Sequence, residues 1–204
     1  MGRKSKAKVR RQEILFHFYE VIIEEGFEGA SIAKIAKKMD VNPSLLIHYF
    51  KNKDKMVLGL IDYIIETYSA QILPDFSTVE DPQERWDDLV DVVSRIQWNT
   101  FLNTTVYYSA YTLGFRNDEI KERFVQLYQG VSDRLQHEIE IACSKDIINV
   151  KNPKAAAKFM LTLMEGANYF QNVDPEFTGD QDDLEERSKM IKETINQMVS
   201  TGTF

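Results

Sequence analysis

Cysteine is nearly absent from this 204-residue chain, and its one thiol, Cys143, permits neither an intrachain disulfide nor a thiol cluster for structural zinc. Histidine is scarce as well. His17, His48 and His137 fall on separate predicted helices, with no neighbouring cysteine, nucleophile elbow, Gly-rich phosphate loop or metal-ligand spacing beside them. Enzymatic chemistry, a metal site and a bound cofactor are therefore not expected. No apolar run reaches the roughly 18 residues needed to span a bilayer, and the opening "MGRKSKAKVRRQE" lacks the apolar stretch of a secretory signal. Both absences predict a cytoplasmic protein with no membrane association.

The chain does contain 43% hydrophobic and 28% charged residues, enough to bury one good core or two modest ones. Its charge is unevenly placed. Residues 1–55 hold 12 Lys+Arg against 7 Asp+Glu, whereas the remainder holds 13 against 25. A basic first quarter on an acidic body suits a chain in which only that quarter meets a polyanion, because phosphate contacts supply most sequence-independent affinity for nucleic acid.

Periodicity then predicts helices throughout. Ile14, Leu15, Phe18, Tyr19 and Ile22 recur at helical spacing between Val9 and Glu25, and Gly26, with Phe27 behind it, supplies a stop. Ser31 can cap a second, shorter helix with core face Ile32, Ile35, Ala36 and Met39. Asp40 and Val41 make a turn, Asn42 caps a third helix, and Pro43 occupies its first turn, where the missing amide hydrogen costs nothing. Leu46 and Phe50, four apart, face inward, which leaves Ser44, Leu45, His48 and Tyr49 on the other flank. Two short helices joined by a tight turn on a longer first helix form a helix-turn-helix, whose last helix enters the major groove of DNA.

The stretch "GASIAKIAKKMDVNPSLLIHYFKNKDKMV" resembles the DNA-binding domain of the tetracycline-repressor (TetR-like) family through Ser31, the Ile35-Ala36 pair, Val41, Leu46, the Tyr49-Phe50 pair and Lys53. The likeness covers residues 9 to 60; beyond them only length and an all-helical pattern match. It implies an all-α chain with residues 1–52 as basic arm and helix-turn-helix, and 53–204 as a helical bundle for ligand binding and dimerisation. The DNA-binding set comprises Lys4, Lys6, Arg10 and Arg11 in a flexible arm, Ser31, Asn42, Pro43, Ser44, Leu45, His48 and Tyr49 in the two short helices, and Lys53 at the next helix start. Where the family commonly has Thr then Leu-Tyr, this chain reads Leu45-Leu46-Ile47, so a hydroxyl and a phenol contact are missing and the operator cannot be carried over. Leu45 can still meet a thymine methyl. A solvated or capping His48 and a merely solubilising arm are the plainer alternatives.

Farther on, Lys53 to Ile72 reads as one long helix, "LPDFSTVEDP" as a loop, and Glu84–Phe101 and Ile120–Ala142 as core helices. Between those two lies "TTVYYSAYTLGF", in which Tyr107, Tyr111 and Phe115 share a face and Tyr108 stands beside it. Tyrosine hydroxyls need partners when buried, so a ligand cavity walled by these residues with Trp98, Phe101 and Tyr128 is one account, and ordinary aromatic core is the other. Glu165, Asn168 and Tyr169 add polar groups to an apolar helix and join the ligand set. The last helices, roughly Pro153–Asn172 and Asp183–Ser200, carry stripes through Phe159, Leu163, Gly166 and Phe170, and through Leu184, Ile191, Ile195 and Met198. A mid-helix glycine costs about 1 kcal/mol against alanine, and close approach of another helix compensates. In the family, these last helices make a four-helix dimer bundle. The acidic loop "DPEFTGDQDD" between them lacks calcium-loop spacing and reads as a solvated turn. The expected function is a homodimeric regulator, a repressor that binds a palindromic double-stranded DNA operator and is released by a small apolar or amphipathic ligand. The alternative is a DNA-binding regulator controlled by a protein partner or by nothing, its C-terminal domain serving only dimerisation.

Overall fold

The computed structural model describes residues 3–94, 103–173 and 181–201, and every regular element among them is helical. In chain order these are α1 (Arg3–Gly29), α2 (Ile32–Lys38), α3 (Pro43–Phe50), α4 (Lys53–Ile72), α5 (Pro82–Ser94), α6 (Thr104–Leu113), α7 (Asp118–Ser144), α8 (Pro153–Val173) and α9 (Gln181–Ser200). No helix among the described residues is long and apolar enough to cross a membrane. Residues 1–69 with 99–127 form one compact unit, and 70–98 with 128–204 a second.

In the first unit α1 packs on α2 and on α6, and α2 packs on α3. Its core is the predicted face of α1, Ile14, Leu15, Phe18 and Ile22, joined by Val21, Ile35, Ala36, Leu46 and Phe50. Each of the larger side chains, fully buried, contributes about 1.5–3 kcal/mol. Gly26 breaks α1 with φ 73° and ψ 168°, a conformation that glycine reaches without the Cβ penalty. The start of α1 differs from expectation: the basic segment is helical from Arg3 rather than a flexible arm. A run of Lys, Arg, Ala and Gln has high helix propensity and simply extends the amphipathic helix it precedes.

The second unit packs α5 against α8 and α9. Trp86, Leu89, Val90 and Val93 of α5 are buried, as are Leu135 and Ile139 of α7, Ala156, Ala157, Met160 and Met164 of α8, and Ile195 and Val199 of α9. Arg85 grips Glu138 with two hydrogen bonds, of 2.6 and 2.8 Å, and that carboxylate holds the guanidinium pKa above its ordinary value. Helix α5 begins at Pro82, two residues before the predicted Glu84. The side chain of Asp81 accepts the Glu84 amide hydrogen at 2.8 Å, so Asp81 is the cap and Pro82, with its φ already fixed, starts the helix instead of breaking it.

Candidate nucleic-acid interface

The turn between α2 and α3 is built from local chemistry. Ser31 Oγ accepts the Lys34 amide hydrogen at 3.3 Å and so caps α2. At the other end Asp40 takes φ 52°, its amide donates to the Lys37 carbonyl at 3.2 Å, and the Val41 amide donates to the Ala36 carbonyl at 2.9 Å. That is a Schellman closure with aspartate in the left-handed position usually held by glycine. Asn42 Oδ1 then accepts the Ser44 amide hydrogen at 2.9 Å, and Pro43 opens α3. Ion pairs fix α2 on α1: Lys38 Nζ lies 2.6 Å from Glu24 and 3.7 Å from Glu20, and Lys34 pairs with Glu25. The hydrogen bond to Glu24 raises the Lys38 pKa above its ordinary value.

Helix α3 buries Leu46 and Phe50, and leaves Asn42, Pro43, Ser44, Ile47 and His48 exposed with Leu45 and Tyr49 half-buried. Its polar strip is Ser44 and His48, one helical turn apart, and the His48 ring stands edge-on to Tyr49 at 5.4 Å. Helix α3 ends in an uncommon way. Lys51 has φ 65° and ψ −49°, and the Asn52 amide donates to the Phe50 carbonyl at 2.8 Å, which closes a γ-turn.

Three cations assigned to DNA from the sequence, Arg10, Arg11 and Lys53, already have partners within the chain. Arg11 Nη1 donates to the Tyr49 carbonyl at 2.8 Å, and its guanidinium carbon lies 4.2 Å from the centre of the Phe50 ring. Lys53 Nζ donates to the Phe27 carbonyl at 3.0 Å, with two further ammonium hydrogens left for other acceptors. Arg10 pairs with Glu13 at 2.6 Å, whereas Lys6 is exposed. The Lys4 side chain lies outside the described residues. No spacing rule pointed to Arg11, because its acceptor is 38 residues away.

The comparisons with known proteins agree with this geometry. Residues 19–60 match the family described as bacterial regulatory proteins, tetR family, and residues 83–200 match the tetracyclin repressor-like C-terminal domain. The chain belongs to the TetR family. It is a DNA-binding regulator of that class. Among its relatives are nucleoid occlusion factors SlmA: that of Vibrio campbellii is 29% identical over 135 residues, 65% of this chain and 67% of that protein. That of Vibrio cholerae is 30% identical over 130 residues, 62% and 65% of the two chains, so the match spans about two thirds of these relatives. A TetR transcription regulator from Haloarcula marismortui shares the fold with a TM-score of 0.76 and 20% identity, over 94% of this chain and 98% of its own.

The residues expected to bind ligand fall into both units of this TetR-family chain. In the first, Tyr107 is buried and stands edge-on to Phe124 at 6.0 Å and to Tyr108 at 5.2 Å, and Tyr111 meets Phe124 at 5.4 Å. Those edge-on ring contacts are compatible with both accounts drawn from the sequence. Phe115 lies just beyond α6, which ends at Leu113; its ring stands edge-on to Tyr111 at 5.4 Å and is 75% exposed. In the second unit Tyr128 and Glu165 are half-buried, Tyr169 is exposed and Asn168 is only 1% exposed. Asn172 Nδ2 donates to the Asn168 carbonyl at 2.6 Å and reaches its Oδ1 at 3.3 Å. Trp98 and Phe101 lie outside the described residues.

Of the expected dimer residues, Phe159, Leu163, Gly166, Ile191 and Met198 are half-exposed and Phe170 is 49% exposed. A Cβ at Gly166 would meet nothing within 4 Å among the described residues, so none of the described helices approaches there. Ile195 is 2% exposed in the single chain, unlike the other stripe residues of α9. The acidic loop falls largely on residues 174–180, which lie outside the described residues.

Proposed function

We propose that this TetR-family regulator is a homodimeric repressor that reads a palindromic operator through α3, and that a small apolar or amphipathic ligand in residues 53–204 releases it. The capped α2–α3 pair carries the reading, since Ser44 and His48 are exposed at the head of a basic segment while Leu46 and Phe50 anchor it. Ser44, His48 and Tyr49 serve as contacts to base edges and phosphates, and Lys6 and Lys53 as phosphate contacts. The half-exposed apolar stripes of α8 and α9 supply the dimer seam, with Gly166 as the place where a partner helix comes close. Buried Asn168 is the polar handle on the ligand side, in a helix that otherwise buries alanine and methionine. Ligand action requires a difference in affinity between two states, and α4, the helix that follows α3, is the element that transmits it.

A second reading is supported by specific observations. Tyr107 and Tyr111 stack edge-on against Phe124, and the relatives are named nucleoid occlusion factors rather than ligand-released repressors, which leaves room for the alternative in which a protein partner or nothing controls the DNA-bound chain. One experiment separates the two. Selection of genomic fragments by the purified protein, then titration of the recovered site across a salt series, should give a palindrome with a steep salt slope. A small-molecule screen against that complex follows. Release by a small molecule supports the first reading; release only by a cellular protein supports the second, and sequence-blind binding contradicts both.

A further inference from the structure

The core beneath α3 uses only Leu46 and Phe50, yet the helix carries two more large apolar side chains. Leu45 is half-buried, and Ile47 stands 48% exposed. Helical geometry advances about 100° per residue, so Ser44 and His48 fall on one strip and Leu45 and Ile47 on its two margins. Serine and histidine occupy the centre of the outward surface, and aliphatic groups edge it. Solubility does not call for an isoleucine there, and helix formation does not either, because β-branching at Cβ costs side-chain freedom in a helix. A single exposed aliphatic residue on an ordinary surface would need no explanation. Here the residue lies on the helix that the proposed function places in the major groove, one position from His48 and four from Lys51.

The major groove offers one aliphatic group that a side chain of this kind can recognise. Thymine presents its C5-methyl there, beside acceptors that the other bases share. We infer that Ile47 is a specificity-determining residue of this protein, and that it selects thymine by burying the C5-methyl group, with Leu45 at the opposite margin of the strip. The inference rests on α3 being the major-groove helix. It adds a chemistry of readout to that placement: part of the base preference comes from apolar contact rather than from hydrogen bonds. The operator should therefore contain thymines whose methyl groups matter more to affinity than their oxygen atoms.

Deoxyuridine tests this directly, since it replaces thymine with loss of the C5-methyl alone. The full chain is used to recover its site by selection, and each thymine of that site is then exchanged for deoxyuridine. Burial of one methyl-sized group predicts about a four-fold loss of affinity at a contacted thymine, and about fifteen-fold when both half-sites are changed. Ile47→Ala should bind the thymine site more weakly and bring the thymine-to-deoxyuridine ratio at that position to about one. A general loss of folding or of phosphate contacts would weaken both sites alike and leave the ratio unmoved. The inference is overturned by a ratio of about one at every thymine in the unaltered protein, or by a ratio that Ile47→Ala leaves intact. Failure to recover any preferred sequence removes the DNA-reading proposal itself, and this inference with it.

Discussion

Arg11→Ala tests whether the last residue of the basic segment serves DNA or the protein's own recognition helix. In the structure its guanidinium donates to the Tyr49 carbonyl at 2.8 Å and covers the Phe50 ring at 4.2 Å. A hydrogen bond from a charged donor is worth about 1.5–3 kcal/mol, and an exposed cation–π contact about 0.5–1 kcal/mol. Arg11 is an exposed residue, so water competes for both, and a combined loss of about 1.5 kcal/mol is the reasoned figure. For a chain of this length that lowers Tm by about 3–6 °C. The informative assay pairs thermal unfolding with operator titration at several salt concentrations. Loosening of α3 should weaken binding up to about ten-fold while the slope of log affinity against log salt stays constant. Arg11→Lys, which keeps the charge and one donor but not the planar fork, should recover part of the lost Tm. The reasoning is refuted if Arg11→Ala leaves Tm unchanged and reduces the slope by about 0.9, the signature of one lost phosphate contact.

Lys51→Gly should stabilise the fold by about 1 kcal/mol in urea unfolding, because φ 65° with ψ −49° is costly for a residue with a Cβ. No gain would mean that the γ-turn relaxes in solution. Gly166→Leu meets open space in the single chain, so thermal stability of the monomer should hold or rise by about 1 kcal/mol, while sedimentation should show a weakened dimer. An intact dimer would take α8 out of the seam. The Ser77 amide donates to Asp75 Oδ1 at 2.9 Å and holds that carboxyl below the usual carboxylate range. Its folded pKa is thus below its unfolded one: the contribution is present above about pH 4 and is lost as pH falls through the folded value. Asp75→Asn should therefore lower the urea midpoint near neutrality and leave it nearly unchanged in acid, and an equal loss at both would assign the effect to packing.

The first unit was legible in the sequence where its structure is local. Ser31, Asn42 and Pro43 signal helix starts by their own chemistry, Gly26 signals a break, and Leu46 with Phe50 fixes the buried side of α3 by spacing alone. What the spacing could not supply was the partner of a group whose acceptor is remote. Arg11 and Lys53 read as free cations until the fold brought the Tyr49 and Phe27 carbonyls to them. Amphipathic stripes have a similar blind spot. They separate a covered face from a wet one, but they do not say whether the cover is the same chain or another. Ile195 and Met198 belong to one predicted stripe, yet the first is buried in the single chain and the second is half-exposed. The tyrosines of α6 pose the same ambiguity, because a cavity wall and an aromatic core have identical composition, and both are compatible with rings that meet Phe124 at 5.4 and 6.0 Å.

The contacts around α3 bear on how any signal could reach DNA. Arg11 ties its last turn to α1, Lys53 ties the start of α4 back to the Phe27 carbonyl, and Phe50 closes against α4 at Gly59. A Cβ at Gly59 would come within 3.0 Å of Phe50 Cε1 and within 3.5 Å of both Arg11 Nη2 and Leu15 Cδ2, so this glycine permits an approach that alanine would push apart. Helices α1, α3 and the first turns of α4 are therefore tied together as one block by direct contacts. Bending α3 within that block would break a charge-assisted hydrogen bond and open the Phe50 packing, whereas carrying the block along with α4 breaks neither. On the proposed dimeric reading, a ligand would change operator affinity by altering the separation of two intact recognition helices, not by deforming either of them.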